Sequence, residues 1–137
     1  TPPQAQPVSS PKTGAQVYNN CLGCHGPQGE GNPPAFPPLK GPTEQLLRAE
    51  GGRDYLLRVV LYGVQGTLRI EGKEYSGLMP GFAWLSDEEI ALVLNHLAAW
   101  GAPKGFQPYT PEEVKAARAK VLTPEEVYRL RAQLKLP

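Results

Sequence analysis

A Cys-x-x-Cys-His motif at residues 21–25 is the part of this sequence with the clearest potential for chemistry. Its two cysteines are the only ones in a chain of 137 residues. A disulfide between them would close almost no loop and would therefore stabilise little. A redox-active dithiol uses the same spacing but usually opens a helix that follows a strand. A zinc site needs four ligands, and His96 is the only other histidine.

The histidine directly after the second cysteine favours covalent haem attachment over those three alternatives. The thiols of Cys21 and Cys24 have the spacing needed to add across the two vinyl groups of a porphyrin. His25 then lies under the iron and offers a neutral imidazole nitrogen. The motif therefore predicts one haem c, bound through Cys21 and Cys24, with His25 as a metal ligand.

The opposite face of the iron needs its own ligand, and the single methionine, Met79, is the candidate. A lone methionine is most often core filler. Met79, however, lies in a Gly- and Pro-flanked segment, residues 75–82, where no helical stripe explains it. The rival ligand is His96, which lies about 110° away from the apolar stripe of its helix. We therefore expect His96 on the flank of that helix, near solvent.

A proline-rich loop at residues 26–42 follows the motif, and it can be neither helix nor central strand. Ten of the 16 prolines of the chain lie within residues 1–42. A stiff loop beside the motif can hold a carbonyl oxygen against the imidazole N–H of His25 and so fix the ring. We expect Pro33 or Pro34 to supply this carbonyl.

Short helices and one hairpin are predicted to position these groups. Capping boxes begin the first helix at Thr13 and the last core helix at Ser86. Thr43 is the predicted N-cap of another helix, and Glu71-Gly72 is the predicted turn of a small β-hairpin. The predicted elements are helices at about 14–21, 44–50, 53–62 and from 86 to the stop at Gly101, with hairpin strands at 67–70 and 73–75.

The tail contains an internal repeat, because Thr-Pro-Glu-Glu-Val occurs at residues 110–114 and again at 123–127. Each copy is a complete helix start, with a threonine N-cap, a proline at the first helical position and two acids that complement the dipole. The predicted helices, at about 111–120 and 124–134, are too short to be stable alone. We expect them to pack on the body of the protein through Val114, Val121, Val127, Leu130 and Leu134.

The composition sets further limits. Lys and Arg total 14 and Asp and Glu total 13, so the net charge of +1 argues against nucleic acid as a partner. No run of about 18 apolar residues could cross a bilayer. Residues 1–12 have neither an initiator methionine nor an apolar signal segment, so we expect either a mature form after export or a trimmed chain. This proline-rich lead could equally tether the chain to a membrane anchor or another domain.

The motif, the Gly/Pro loop, Leu78-Met79-Pro80-Gly81-Phe82 and a closing amphipathic helix together resemble the class I c-type cytochromes. Within that family the chain is most similar to the soluble Thermus-type cytochrome c. The similarity covers about residues 13–135, including the hairpin and a C-terminal extension that ordinary small cytochromes c lack. The matching stretches include residues 35–39, 50–55, 61–63, 87–90, 94–96 and 106–115.

The resemblance implies a mainly α cytochrome c fold around one covalent haem, with a small β-hairpin and a C-terminal two-helix extension. Residues 1–12 would be a flexible lead, 13–101 the haem domain and 102–137 the extension packed on it. His25 and Met79 would be the axial ligands, and Pro33 matches by position the residue whose carbonyl accepts from the proximal imidazole. Haem attachment through thioethers also predicts that the protein is exported and lies in the periplasm or elsewhere outside the cytoplasmic membrane.

The implied function is that of a soluble monomeric electron carrier rather than an enzyme. Its acceptor would be a terminal cytochrome c oxidase, and its donor a quinol–cytochrome c reductase or a dehydrogenase. Two alternatives remain open: a haem c domain or subunit of a larger redox enzyme, and a ligand-binding or peroxidatic haem protein with a labile sixth site. With haem, the formal net charge falls to about zero, so docking should depend on an apolar rim. The candidates for this rim are Leu22, Ala35, Phe36, Leu78 and Phe82.

Overall fold

The computed structural model describes residues 13–21, 25–26, 28–31, 36–70 and 72–136. Within these ranges the chain forms six helices and one two-stranded antiparallel hairpin, which confirms the mainly α class. The elements are α1 Gly14–Tyr18, α2 Pro42–Arg48, α3 Gly52–Tyr62, β1 Val64–Ile70, β2 Lys73–Met79, α4 Asp87–Ala98, α5 Pro111–Ala117 and α6 Pro124–Arg131. The predicted lead, together with Leu22, Cys24, Pro33, Pro34 and Ala35, lies outside the described residues.

The helix starts agree with the sequence predictions except at α2. Both predicted capping boxes are present, with the Thr13 and Ser86 side chains accepting from backbone N–H groups three residues later. The predicted cap at Thr43 is wrong: α2 begins at Pro42, its N-cap is Gly41, and Thr43 is buried inside the helix. A proline in the first turn is compatible with the helix because the first N–H groups have no intrahelical partner.

The hairpin is longer than predicted and includes the methionine. Its seven register pairs run from Val64 opposite Met79 to Ile70 opposite Lys73. Met79 is therefore the last residue of β2 rather than part of a loop. Only Gly63 separates β1 from α3, so the end of α3 and the end of β2 lie side by side.

The core is formed mainly where α1 and α3 pack on α4. The apolar stripe predicted for the last core helix is confirmed, since Ile90, Val93, Leu94 and Leu97 are all buried. The largest fully buried side chains include Tyr18, Leu57, Leu61, Ile90, Leu94 and Val93. None of the helices in the described part of the chain has the length and apolar character needed to cross a membrane.

The C-terminal segment packs on this core through both of its helices. α5 contacts α4 and α3, whereas α6 contacts β1 and α3. Val114 and Val127 are completely buried in these contacts, and Leu130 and Leu134 are half-buried. The prediction for Val121 is wrong, because its side chain is 75% exposed. It lies between the two helices, where no element packs against it.

Polar contacts fix the start of α5. Arg53 donates from two nitrogens to the two carboxylate oxygens of Glu113, each at 2.7 Å. The Arg53 guanidinium also lies 4.1 Å from the centroid of the Tyr109 ring. The Asn95 side chain accepts from the Tyr109 N–H at 2.8 Å and donates to the Tyr109 carbonyl at 3.0 Å. The C-terminal segment is thereby joined to both α3 and α4.

Candidate haem site

A largely apolar cavity lies between the hairpin, α2, α3 and the segment 36–39. It brings together three of the site residues that the sequence predicts, namely Cys21, His25 and Met79. The rest of the lining includes Leu39, Leu46, Leu56, Val59, Val64, Leu68, Ile70, Tyr75, Leu78 and Phe82. Ligand pockets typically have such a lining, with a few polar groups that fix the orientation of the ligand.

His25 is 6% exposed, and its Nδ1 lies 2.8 Å from the carbonyl oxygen of Pro37. A carbonyl oxygen can only accept, so Nδ1 carries the hydrogen and donates. Burial lowers the pKa of His25, and the hydrogen bond with Pro37 opposes this shift less strongly. His25 is therefore a neutral imidazole whose Nε2 retains its lone pair, which is the state that a metal ligand requires.

Among the described residues, the acceptor from the imidazole is Pro37, whereas the resemblance assigned this role by position to Pro33. The Nδ1 of His25 has only one hydrogen to donate, and the Pro37 carbonyl receives it. The path of the loop brings Pro37 to the ring, because the N–H groups of Leu39 and Lys40 both donate to the Gly29 carbonyl. Pro33 itself lies outside the described residues.

The backbone around His25 is held by Tyr18. The Tyr18 hydroxyl donates to the Gly26 carbonyl at 2.6 Å, and burial raises the pKa of Tyr18 to about 12. The Gly31 N–H donates to the His25 carbonyl at 2.7 Å, and the His25 N–H donates to the Cys21 carbonyl at 3.0 Å. These bonds between protein groups fix the backbone that carries the imidazole and do not depend on a bound ligand.

Met79 and His96 occupy different surroundings. Met79 is half-buried at the end of β2 and lines the cavity. His96 is half-buried on α4, with its ring centroid 5.2 Å from that of Tyr18 and 5.2 Å from that of Trp100. It does not line the cavity. His96 is thus less exposed than expected. Its contacts with these two aromatic rings give it a role in packing that needs no metal.

Arg131 is a site residue that the sequence analysis missed. Among the residues that the structure describes, it is the only lysine or arginine that lines the cavity. Its guanidinium lies 5.9 Å from the centroid of the Tyr55 ring and donates to the Arg69 carbonyl at 3.2 Å. Burial raises the pKa of Tyr55, and the charge of Arg131 partly offsets this rise. In the sequence Arg131 has only the appearance of a basic residue that complements a helix C-terminus.

These groups fit a haem better than a metal ion alone. An apolar cavity suits the macrocycle, imidazole and thioether suit the iron, and Arg131 suits a carboxylate side chain of the porphyrin. Among the described residues, no three of His, Cys, Asp or Glu come close enough together to hold a metal ion. The described part of the site therefore offers a bare ion too few ligands.

The comparisons with known proteins agree with this site. Residues 11–101 match the family model for cytochrome c, and the chain belongs to the cytochrome c family. Proteins of this family bind haem c covalently through cysteine and transfer electrons without being enzymes. This chain is accordingly an electron-transfer protein with haem c as its cofactor.

Two relatives place the chain more closely within the family. It is 54% identical over 127 residues to cytochrome c-552 of Thermus thermophilus, covering 90% of this chain and 97% of that protein. A second cytochrome c-552, from one strain of the same species, is also 54% identical over 127 residues, which cover 86% of its length. The chain is therefore a class I c-type cytochrome of the Thermus type, as the resemblance implied.

Proposed function

We propose that this cytochrome delivers electrons to a terminal cytochrome c oxidase in a respiratory chain. Its donor is a quinol–cytochrome c reductase or a dehydrogenase, and it works as a monomer outside the cytoplasmic membrane. Cys21 and Cys24 attach the haem, and His25 and Met79 are the axial ligands. The observation that carries this proposal is the cavity that contains Cys21, His25 and Met79 together, with the imidazole nitrogen Nδ1 already engaged by Pro37.

The residues of the cavity favour the reduced state. When bound, haem supplies a one-electron Fe(III)/Fe(II) couple. The thioether of Met79 favours the ferrous state relative to a second imidazole. The apolar lining excludes water, and a low dielectric disfavours the extra positive charge of the ferric state. Both effects raise the reduction potential, while Pro37 keeps the His25 ring in one orientation and tautomer.

Replacing Arg131 with glutamine is expected to lower the reduction potential by roughly tens of millivolts. A positive charge near the cavity disfavours the ferric state, so its removal stabilises that state. A redox titration at low and high ionic strength measures the shift. The matched control is Arg129→Gln, which removes the same charge from an exposed position on the same helix, away from the cavity. Equal shifts in the two variants would contradict a local role for Arg131.

Apolar side chains at the mouth of the cavity suit docking with a partner protein. Phe36 is 37% exposed and Leu78 is 59% exposed, and both line the cavity. Phe82 lines it as well but is half-buried. The other two rim candidates, Leu22 and Ala35, lie outside the described residues. Electron-transfer complexes bury small interfaces, below about 1,200 Å², so a rim of this kind is sufficient.

The reaction with a purified terminal oxidase tests the proposal. Because the net charge of the chain is only +1 before haem is added, we expect the second-order rate constant to change less than about twofold between low and physiological salt. Leu78→Ser should lower that rate constant by about threefold or more, since it removes an exposed apolar contact. Stopped-flow oxidation of the reduced cytochrome measures both effects.

Val121→Ser is the control for this experiment, because Val121 is an exposed apolar residue that does not line the cavity. It should leave the oxidase reaction unchanged. A steep fall of the rate with added salt, or an equal loss in both variants, would contradict docking at the cavity mouth. A reduced cytochrome that the oxidase does not oxidise would overturn the proposed acceptor.

A further inference from the structure

The segment that joins Met79 to α4, residues 80–86, is held in place from two sides. On the side of α3, the Phe82 N–H donates to the Val60 carbonyl at 2.8 Å, and Gly81 packs against the backbone of Leu61 and Tyr62 so closely that a Cβ atom would have no room. On the other side it is contacted by Arg118 of the C-terminal segment.

Arg118 binds the far end of this segment with three nitrogens. Its Nη1 donates to the Ala83 carbonyl at 2.8 Å and its Nη2 donates to the Leu85 carbonyl at 2.6 Å. Its Nε donates to Oδ1 of Asp87, the first residue of α4, at 2.6 Å. The Arg118 and Asp87 side chains are about 29% and 27% exposed, so water screens this contact only in part. The planar fork of arginine spreads its N–H donors over three nitrogens that reach three separate acceptors, whereas all the donors of lysine lie on one nitrogen.

The helix that ends directly before Arg118, α5, is itself attached to α3. The carbonyl of Ala117, at the end of α5, accepts from the Tyr62 hydroxyl at 3.3 Å and from Nη1 of Arg58 at 3.1 Å. Tyr62 is the last residue of α3 and directly precedes Gly63, which packs against the Met79 carbonyl. Because α5 is bonded to α3 at Ala117, the next residue, Arg118, is held where its side chain contacts the segment that follows Met79.

We propose that Arg118 is a positioning residue for Met79. By holding the segment 80–86, it slows the release of Met79 from the iron and so slows the binding of an external ligand at that position. The inference rests on the proposed function, in which Met79 is an axial ligand. Release of Met79 requires the segment 80–86 to move away from the cavity. That motion breaks the bonds of Arg118 to Ala83 and Leu85, so these bonds oppose local opening.

The test is the binding of cyanide to the oxidised holoprotein, because cyanide must displace the sixth ligand. Arg118→Gln should bind cyanide about tenfold faster or more, since charge-assisted bonds are lost from the closed form only. Arg118→Lys keeps the charge but makes fewer bonds, so its rate should lie between those of the parent and Arg118→Gln. Thioether ligation of ferric iron gives a weak far-red absorption band. On heating, this band should disappear at a lower temperature in both Arg118 variants than in the parent.

Arg53→Gln is the matched control. It removes two hydrogen bonds to Glu113, near the start of α5. Within the described residues, none of the hydrogen bonds of Arg53 goes to residues 80–86. We expect it to lower the free energy of unfolding, measured with guanidinium, while cyanide binding stays within about twofold of the parent.

The outcomes separate this inference from the proposed function. Equal acceleration in the Arg118 and Arg53 variants would show general loosening and overturn the positioning role. An unchanged cyanide rate in Arg118→Gln, with the far-red band intact, would overturn it as well and leave Met79 ligation standing. A parent protein without that band would overturn Met79 as axial ligand, and this inference with it.

Discussion

Replacement of Met79 with alanine is expected to let the reduced protein bind carbon monoxide, whereas the parent protein should not bind it. In the proposed site the thioether of Met79 completes the coordination of the iron, so its removal should let an external ligand enter. Its reduction potential should fall by about 100 mV or more, because the thioether is the ligand that favours the ferrous state. Absorption spectra with and without carbon monoxide, and a redox titration, measure these effects.

Met79→His is the matched variant, because it restores a sixth ligand of a different kind. A second imidazole should close the site to carbon monoxide again but keep the potential low. The two variants together separate the loss of a ligand from a change of ligand. They also distinguish the electron carrier from a peroxidatic protein with a labile sixth site, in which the parent itself would bind carbon monoxide.

His96→Ala tests the rival ligand. His96 packs between Tyr18 and Trp100 and does not line the cavity. This variant should therefore leave the spectrum and the carbon monoxide result of the parent unchanged, although loss of the ring contacts lowers stability. A parent protein without the far-red band, a Met79→Ala variant with the spectrum of the parent and a His96→Ala variant that loses that spectrum would together reverse the assignment.

The parts of the fold that the sequence predicts correctly are those that depend on near neighbours. A capping box spans three residues, so Thr13 with Gln16 and Ser86 with Glu89 define helix starts without knowledge of the rest of the chain. The apolar stripe of α4 repeats within one helix. The Cys-x-x-Cys-His motif is equally local, and its chemistry follows from five consecutive residues.

The features that sequence reasoning missed depend on how distant segments meet. Pro37 and Pro33 look alike in the loop, and only its closure onto Gly29 brings the Pro37 carbonyl to the imidazole. Arg118 and Arg131 both stand near the end of a helix, where a basic residue already has a local explanation in the helix dipole. Their partners lie more than 30 residues away in sequence, so no spacing rule reveals them.

The replacement of Gly63 with alanine is expected to lower the free energy of unfolding by about 3 kcal/mol or more. Gly63 follows α3 with a φ of 79°, which costs an alanine about 1–2 kcal/mol. Its Cβ would also overlap the Met79 carbonyl oxygen and approach the Gly81 nitrogen. These are backbone atoms, so the overlap is relieved only by moving the end of β2. Guanidinium unfolding measures the loss, and the far-red band should be weaker at every temperature.

Gly72→Ala separates the clash from the backbone strain. Gly72 has a φ of 81°, almost the same as that of Gly63, but apart from its chain neighbours no atom of the described residues lies within 4 Å of the position of its Cβ. It should cost only about 1–2 kcal/mol and leave the far-red band as in the parent. If the two variants were equally stable and had the same band, the close approach of Gly63 to Met79 would have no energetic weight. A larger effect at Gly63 on both measurements would mean that the end of α3 sets the position of the methionine, because strain alone is common to both glycines.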